Sequence, residues 1–110
     1  MKRRHVISRQ AELAVSMLSA QIAAARREKR MTAAEVAERV GISTITLRAV
    51  ERGLPTVAIG TVFEVATLLG VPLFTDERDQ LSSAYALQRG QLALLPSRVR
   101  EPRTPVRDEF

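Results

Sequence analysis

The stretch TAAEVAERVGISTITLRAVERG, residues 32–53, predicts two short helices joined by a tight turn. Thr32 and Glu35 have the spacing of a capping box, in which the threonine hydroxyl accepts a hydrogen bond from the glutamate amide and the glutamate carboxylate accepts one from the threonine amide. Gly41 stands where the first helix would end in a left-handed residue. Ser43 follows after a single residue and can cap the second helix.

Apolar residues at helical spacing predict how these two helices pack. Ala37 is small where the helices must cross closely. Ile42, Leu47 and Val50 fill the wedge between them. This is the helix-turn-helix pattern, in which the first helix supports the second and the outer face of the second enters the DNA major groove.

Three further helices are predicted around this unit. Ser8 can cap the first of them, and its apolar pattern fits one long helix or two shorter pieces. Residues 91–95 fit either a helix or a strand, and the prolines after them predict an extended tail. The predicted helices run from Arg9 toward Lys29, from Gly60 to Leu69, and from Thr75 and Asp76 to Gly90, with Glu77 and Asp79 in the first turn of the last.

The composition excludes several classes of protein. Of the 110 residues, 45% are hydrophobic and 26% are charged, which is typical of a folded chain. The chain has no cysteine and one histidine, His5, so disulfides, thiol catalysis and metal sites or catalytic triads that need these residues are not expected. A membrane-spanning helix needs about 18 consecutive apolar residues, and no apolar run in the sequence is that long. We therefore expect a cytoplasmic binding protein without cofactor or metal, and not an enzyme.

Positive charge is concentrated near the N-terminus. The net charge is +5, and residues 1–30 carry eight positive side chains against two negative ones. A positive field attracts polyanions, of which nucleic acid is the commonest in a cytosol. Basic side chains that only keep a helix face soluble would give the same pattern, so charge alone leaves both interpretations open.

Further motifs extend the pattern over about half of the chain, from Leu18 to Leu73. They are Gln21-Ile22 with Arg26, Met31-Thr32, Val36-Ala37, Val40 to Ser43, Glu51 to Gly53, Val65-Ala66 and Leu69 to Val71. In this order and spacing, they resemble the Xre/Cro/lambda-repressor-like family. The resemblance implies an all-α fold, a lambda-repressor-like five-helix helix-turn-helix domain with a C-terminal extension and an extended tail.

The resemblance also implies roles for individual residues. In this family an arginine of the first helix pairs with the glutamate that ends the recognition helix, and Arg26 and Glu51 match those positions. The base-contacting positions fall on Thr44, Ile45 and Arg48, of which the Arg48 guanidinium can bind guanine N7 and O6 together. The full set of predicted DNA contacts is Thr32, Ala33, Ser43, Thr44, Ile45, Thr46 and Arg48, with Arg3 and Arg4 in a basic arm.

The sequence departs from the family at Ala33, where the family often has a glutamine that contacts phosphate and supports a recognition residue. The recognition helix also presents one outward positive charge and no Asn or Gln. We therefore expect affinity to depend on the basic segment Lys2–Arg9 as well. The same departures leave open a protein adaptor that no longer binds DNA.

Residues beyond the helix-turn-helix suggest protein partners. Proteins of this kind usually bind two half-sites about 34 Å apart as dimers. The candidates for the dimer surface are apolar residues outside the five-helix core, namely Phe63, Leu68, Tyr85, Leu87, Leu92, Leu94 and Leu95. The arginine- and proline-rich tail, which ends in acidic residues and Phe110, resembles that of HipB-type antitoxins. These repress their own operon and bind a HipA-type kinase toxin.

The resemblance implies three partners: the operator DNA of its own operon, a second copy of the chain, and a HipA-type kinase, with no membrane involved. A stand-alone phage-type or metabolic repressor of the same family is the alternative. The predicted organisation is a basic arm and helix start at residues 1–16, the DNA-binding domain at 17–74, a dimerisation helix at 75–95 and a flexible tail at 96–110.

Overall fold

The computed structural model describes residues 6–99, and the fold of this part of the chain is all-α. No strand occurs among these residues, which confirms the predicted fold class. Arg3 and Arg4 of the predicted arm and Phe110 of the predicted tail lie outside the described residues. The helices are α1 (Arg9–Glu28), α2 (Ala33–Val40), α3 (Thr44–Glu51), α4 (Ile59–Leu68) and α5 (Leu81–Ala93), and a 3-10 turn at Arg78–Gln80 precedes α5.

Helix α1 is one continuous helix of 20 residues. Of the two alternatives that the sequence left open, one long helix is therefore correct, and two shorter pieces are not. Ser8 caps it as predicted, because its hydroxyl oxygen accepts from the Ala11 amide at 3.1 Å. At the other end Arg30 takes a left-handed conformation with φ 57°, and the Met31 amide donates to the Arg26 carbonyl at 3.1 Å. The chain thereby turns sharply from α1 into α2.

Local hydrogen bonds confirm the predicted capping box at the start of α2. The Thr32 hydroxyl accepts from the Glu35 amide at 3.0 Å, and the Thr32 amide donates to a Glu35 carboxylate oxygen at 2.8 Å. The bond from the Thr32 amide is the main cause that holds the pKa of Glu35 below its ordinary value, because it favours the charged form.

The hydrophobic core lies between α1, α2, α3 and α4. Side chains from all four helices are at most 2% exposed there, and Val71, which follows α4, closes the core at 8%. Ile42, which was predicted to fill the wedge between α2 and α3, is only partly buried at the edge of the core, as are Leu18, Val40 and Val62. The buried apolar residues are Ile22, Val36, Ala37, Leu47, Val50, Val65, Ala66, Leu69 and Val71.

The boundaries of the last two helices differ from the sequence prediction. Helix α4 begins at Ile59, one residue before the predicted start. The prediction that the fifth helix starts at Thr75 and Asp76 is wrong, since α5 begins at Leu81. The Thr75 hydroxyl donates to the Glu77 carbonyl at 2.6 Å and so stabilises a non-helical bend at this point.

The end of α5 differs as well. Gly90 lies inside the helix and does not end it, although glycine costs about 1 kcal/mol in a helix interior relative to alanine. Residues 91–93, which fitted helix or strand, are helical. None of the described helices is long and apolar enough to cross a membrane.

Candidate nucleic-acid interface

The turn between α2 and α3 fixes how the two helices meet. Gly41 has φ 88° and ψ 32°, a left-handed conformation that glycine adopts without strain. The amides of Gly41 and Ile42 both donate to the Ala37 carbonyl at 2.9 Å, so the end of α2 is closed within a single turn. Ser43 caps α3, which begins at the next residue, and the prediction of a tight turn is confirmed.

Helix α3 has a buried side and an outward side. Leu47 is fully buried and Val50 is 2% exposed, and both pack in the core. Ile45 is 79% exposed, and Arg48, three residues further, is also exposed. Residues three apart on a helix are neighbours, so an apolar side chain and a guanidinium lie side by side on the outward face.

The start of α3 is organised by its own cap. The Ser43 hydroxyl oxygen accepts from the Thr46 amide and the Ser43 hydroxyl donates to the Thr46 hydroxyl oxygen, both at 3.0 Å. These two predicted DNA contacts therefore bond to each other, while Thr44 between them is half-buried. Among residues 6–99, the Arg48 side chain makes no hydrogen bond or ion pair, so the five N–H donors of its guanidinium are available to a ligand.

Two further predicted contacts lie at the start of α2. Thr32 is exposed, but its hydroxyl and amide are both used in the capping box. Ala33 is half-buried and packs against the core, so it offers a ligand only its backbone. Lys29 and Arg30 are exposed within three residues of Thr32 and add positive charge beside this helix start.

Arg26 and Glu51 lie together and tie α1 to the end of α3. Arg26 Nε donates to Glu51 Oε2 at 2.6 Å and a terminal nitrogen donates to Oε1 at 3.0 Å, which is a two-point pairing. The other terminal nitrogen donates to the Met31 carbonyl at 2.9 Å. The side chains are only 16% and 13% exposed, so Arg26 is committed to the fold. The hydrogen bond with Glu51 raises the pKa of Arg26, against a smaller opposing effect of burial.

Sequence reasoning missed a second tie between α1 and α3. The buried Ser19 hydroxyl donates to the Val50 carbonyl at 2.7 Å. A Cβ added at Gly53, which has φ 74°, would come within 3.4 Å of the Ser19 hydroxyl oxygen and 3.7 Å of the Ser16 backbone. Ser16 and Ser19 are small residues three apart on α1, and that spacing was the available signal for this close approach.

The predicted dimer residues lie apart from this surface. Tyr85 and Leu92 are on α5 and Leu95 follows it, with exposed fractions of 64%, 51% and 64%. No group of three or more histidine or acidic side chains among residues 6–99 could hold a metal ion.

Comparison with known proteins agrees with this geometry. Residues 22–75 match the model of the Helix-turn-helix family, a segment that begins in α1 and contains all of α2, α3 and α4. No curated protein and no solved structure matches the chain. Two short helices joined at Gly41, with an exposed outward face on the second, give residues 22–75 the arrangement of a helix-turn-helix.

Proposed function

We propose that the protein is a homodimeric transcriptional repressor that binds its operator by placing α3 in the DNA major groove. The observation that carries this proposal is the division of α3 into a buried side and an outward side on which Ile45 and Arg48 are free. A B-DNA major groove, about 12 Å wide, admits one helix with its side chains. The match of residues 22–75 to the Helix-turn-helix family supports the same use of this helix.

Base recognition in this proposal depends on two side chains. Arg48 donates two parallel hydrogen bonds to guanine N7 and O6, and Ile45 contacts the methyl group of a thymine. Thr44 bonds a base or a phosphate, and Ala49 lies at the edge of the groove. Ser43 and Thr46 hold the start of α3, so their role is to position Ile45 and Arg48.

Phosphate contacts supply the remaining affinity. The first amides of a helix carry partial positive charge and bind phosphate, so the capped starts of α2 at Thr32 and Ala33 and of α3 at Ser43 are suited to the DNA backbone. Arg3 and Arg4 of the arm neutralise further phosphates. Each such contact releases a counterion, so we expect binding to weaken steeply as salt rises.

The antitoxin role is the finer part of this proposal. It is supported by the order of segments in the sequence, with the basic arm first and the Arg- and Pro-rich tail last. The chain would repress its own operon and bind a HipA-type kinase through residues 96–110. The test is co-purification of a kinase encoded beside its gene with the full chain and with a chain that lacks this tail. If the kinase co-purifies with neither chain, the antitoxin role is contradicted. If it is recovered equally with both chains, binding through the tail is contradicted.

The DNA-binding proposal is tested by titrating the protein against a duplex from the upstream region of its own gene and against a scrambled duplex, at two salt concentrations. We expect binding to both duplexes to weaken as salt rises, with the native duplex bound more tightly than the scrambled one at both concentrations. Arg48→Ala should cost about 1–3 kcal/mol at the native duplex and reduce the preference for it.

Arg39→Ala is the matched control, because it removes the same charge from the exposed last turn of α2, outside the predicted DNA contacts. It should change binding much less than Arg48→Ala. Equal losses in the two variants would mean that Arg48 acts through charge alone. Equal and salt-sensitive binding to both duplexes by the unmodified protein would contradict the proposal and favour a protein adaptor.

A further inference from the structure

An apolar groove lies beside the helix-turn-helix, between α1, the loop after α3 and the start of α4. Its volume is about 300 Å³, and Ala14, Val15 and Leu18 form its α1 wall. Leu54 lines it from the loop and Ile59 from α4, and these side chains are 40% and 68% exposed. No residue of α5 lines the groove within the part of the chain that the structure describes.

The α1 wall of the groove lies outside the segment that matches the Helix-turn-helix family. The match begins at Ile22, whereas α1 begins at Arg9. The groove is therefore completed by a stretch of α1 to which the match assigns no role.

The lining of the groove determines which chemistry it can bind. Its only polar side chain is Ser19, whose hydroxyl already donates to the Val50 carbonyl at 2.7 Å. Among the described residues, no charged side chain lines the groove. A charged group buried there would lose its hydrogen bonds to water without replacing them. A ligand of this groove is therefore expected to be uncharged and largely apolar.

Phe63 gives the groove an aromatic wall. Its ring packs edge-on against the ring of Phe74, with centroids 5.9 Å apart and planes at 84°. Phe74 has φ 67°, a left-handed conformation that is strained for a bulky residue, although its side chain is 85% exposed. Burial of Phe74 does not account for this strain, whereas its contact orders the Phe63 ring at the groove. An ordered ring favours an aromatic ligand, which can pack against it edge-to-face or offset.

The size of the groove favours a small molecule over a protein. Pockets for small ligands have volumes of about 300–1,000 Å³, and the groove lies at the lower end of this range. The residues that line it fall well short of the about 20–30 a side that a stable protein interface takes. A second copy of the chain would need a larger surface than this groove.

We propose that this groove binds a small, uncharged aromatic molecule, which packs against Phe63 and covers Leu54 and Ile59. Removal of these exposed apolar side chains from water supplies the binding free energy. The groove includes Val50 on the buried side of α3, whereas Arg48 lies on the outward side. The site is therefore separate from the proposed base contacts, and the inference does not depend on the proposed function.

Fluorescence titration of the full chain with N-phenyl-1-naphthylamine, an uncharged aromatic dye that fluoresces in apolar surroundings, tests the proposal. We expect saturable binding of one dye molecule per chain. Ala14→Phe places a ring in the groove and should raise the dissociation constant of the dye at least about tenfold. Ala20→Phe is the matched control, because Ala20 is exposed on α1 and does not line the groove. Absence of saturable binding, or equal effects of the two variants, overturns the proposal.

Phe63→Leu tests the aromatic wall, because it keeps an apolar side chain and removes the ring. It should raise the dissociation constant of the dye about two- to tenfold, the range expected for the loss of one aromatic contact. Unchanged binding would contradict the preference for an aromatic ligand.

Methyl NMR of the unmodified full chain gives a readout that needs no substitution. The ring currents of the bound dye should shift the methyl signals of Leu54, Val57 and Ile59, which line the groove, and leave those of Leu92 on α5 unchanged. Shifts that are largest at Leu92 would place the dye on α5 and overturn the proposal.

Two cysteine pairs test whether another segment of the chain fills the groove, since the natural sequence has no cysteine. A disulfide within one chain between Ile59→Cys and Leu92→Cys places α5 there, and one between Ile59→Cys and Phe110→Cys places the tail there. Either disulfide in high yield overturns the proposal, whereas dye binding with neither disulfide supports it. The dye titration contains no DNA, so its failure leaves the DNA-binding proposal intact, and a failure of DNA binding leaves this one intact.

Discussion

The body formed by α1 to α4 and the helix α5 are equally regular in backbone, but they differ in what stabilises them. The body buries residues such as Ile22, Leu47 and Val65 completely. Helix α5 buries none of its residues within the part of the chain that the structure describes. Helical structure and membership of a core are therefore separate properties in this chain.

The ends of the helices sharpen this comparison. Helices α2 and α3 begin at side-chain caps, Thr32 and Ser43. Helix α4 has no side-chain cap, but it buries Val65 and Ala66. Helix α5 has no side-chain cap and no buried residue. A helix can lose either source of stability, but a short helix that lacks both is marginal in water.

The largest expected effect comes from opening a cavity in the body. Leu47→Ala should lower the free energy of unfolding by about 2–5 kcal/mol, because Leu47 is fully buried between α3 and the rest of the core. Leu92→Ala removes the same atoms from α5, where the side chain is 51% exposed, and should cost less than about 1 kcal/mol in the monomer. Urea unfolding at low protein concentration measures both. Similar losses would mean that α5 packs on the body in solution.

A smaller effect is expected from the pair that ties α1 to α3. Glu51→Ala should cost about 2–3 kcal/mol, because it leaves the Arg26 guanidinium largely buried without its carboxylate. Glu12→Ala breaks the ion pair between Arg9 and Glu12, whose side chains are 78% and 53% exposed. This change should lower the free energy of unfolding by less than about 1 kcal/mol. Urea unfolding curves of both variants test this difference. Equal losses in the two variants would show that burial of the Arg26–Glu51 pair does not increase its contribution to the free energy of unfolding.

The smallest effect concerns the capping box and depends on pH. Hydrogen bonds from Thr32 lower the pKa of Glu35 in the folded state, so its ionised form stabilises the fold above its unfolded pKa of about 4.3. That contribution is lost as the pH falls through the lower folded value. Glu35→Gln should therefore melt below the natural protein at neutral pH, and the melting temperatures should converge in strong acid. A pH-independent difference would exclude the carboxylate as the cause.

Local signals in the sequence predicted the body well. The Thr32 box, the left-handed Gly41 and the Ser43 cap were all predicted, because each depends on residues within about four positions. The start of α5 was predicted wrongly at Thr75. The acidic residues there resemble a first helical turn, but the Thr75 bond to Glu77 and the Arg78 bond to Thr67 stabilise a bend instead.

The sequence by itself determined the helices α1 to α4 and where α2 and α3 meet, since caps, glycines and apolar spacing act over one or two turns. Only the tertiary structure decided that Ser19 bonds the Val50 carbonyl and that α5 stands outside the core. The Ser19 contact joins residues 31 positions apart. Such distances are closed by the packing of whole helices, and no local pattern of residues specifies which faces will meet.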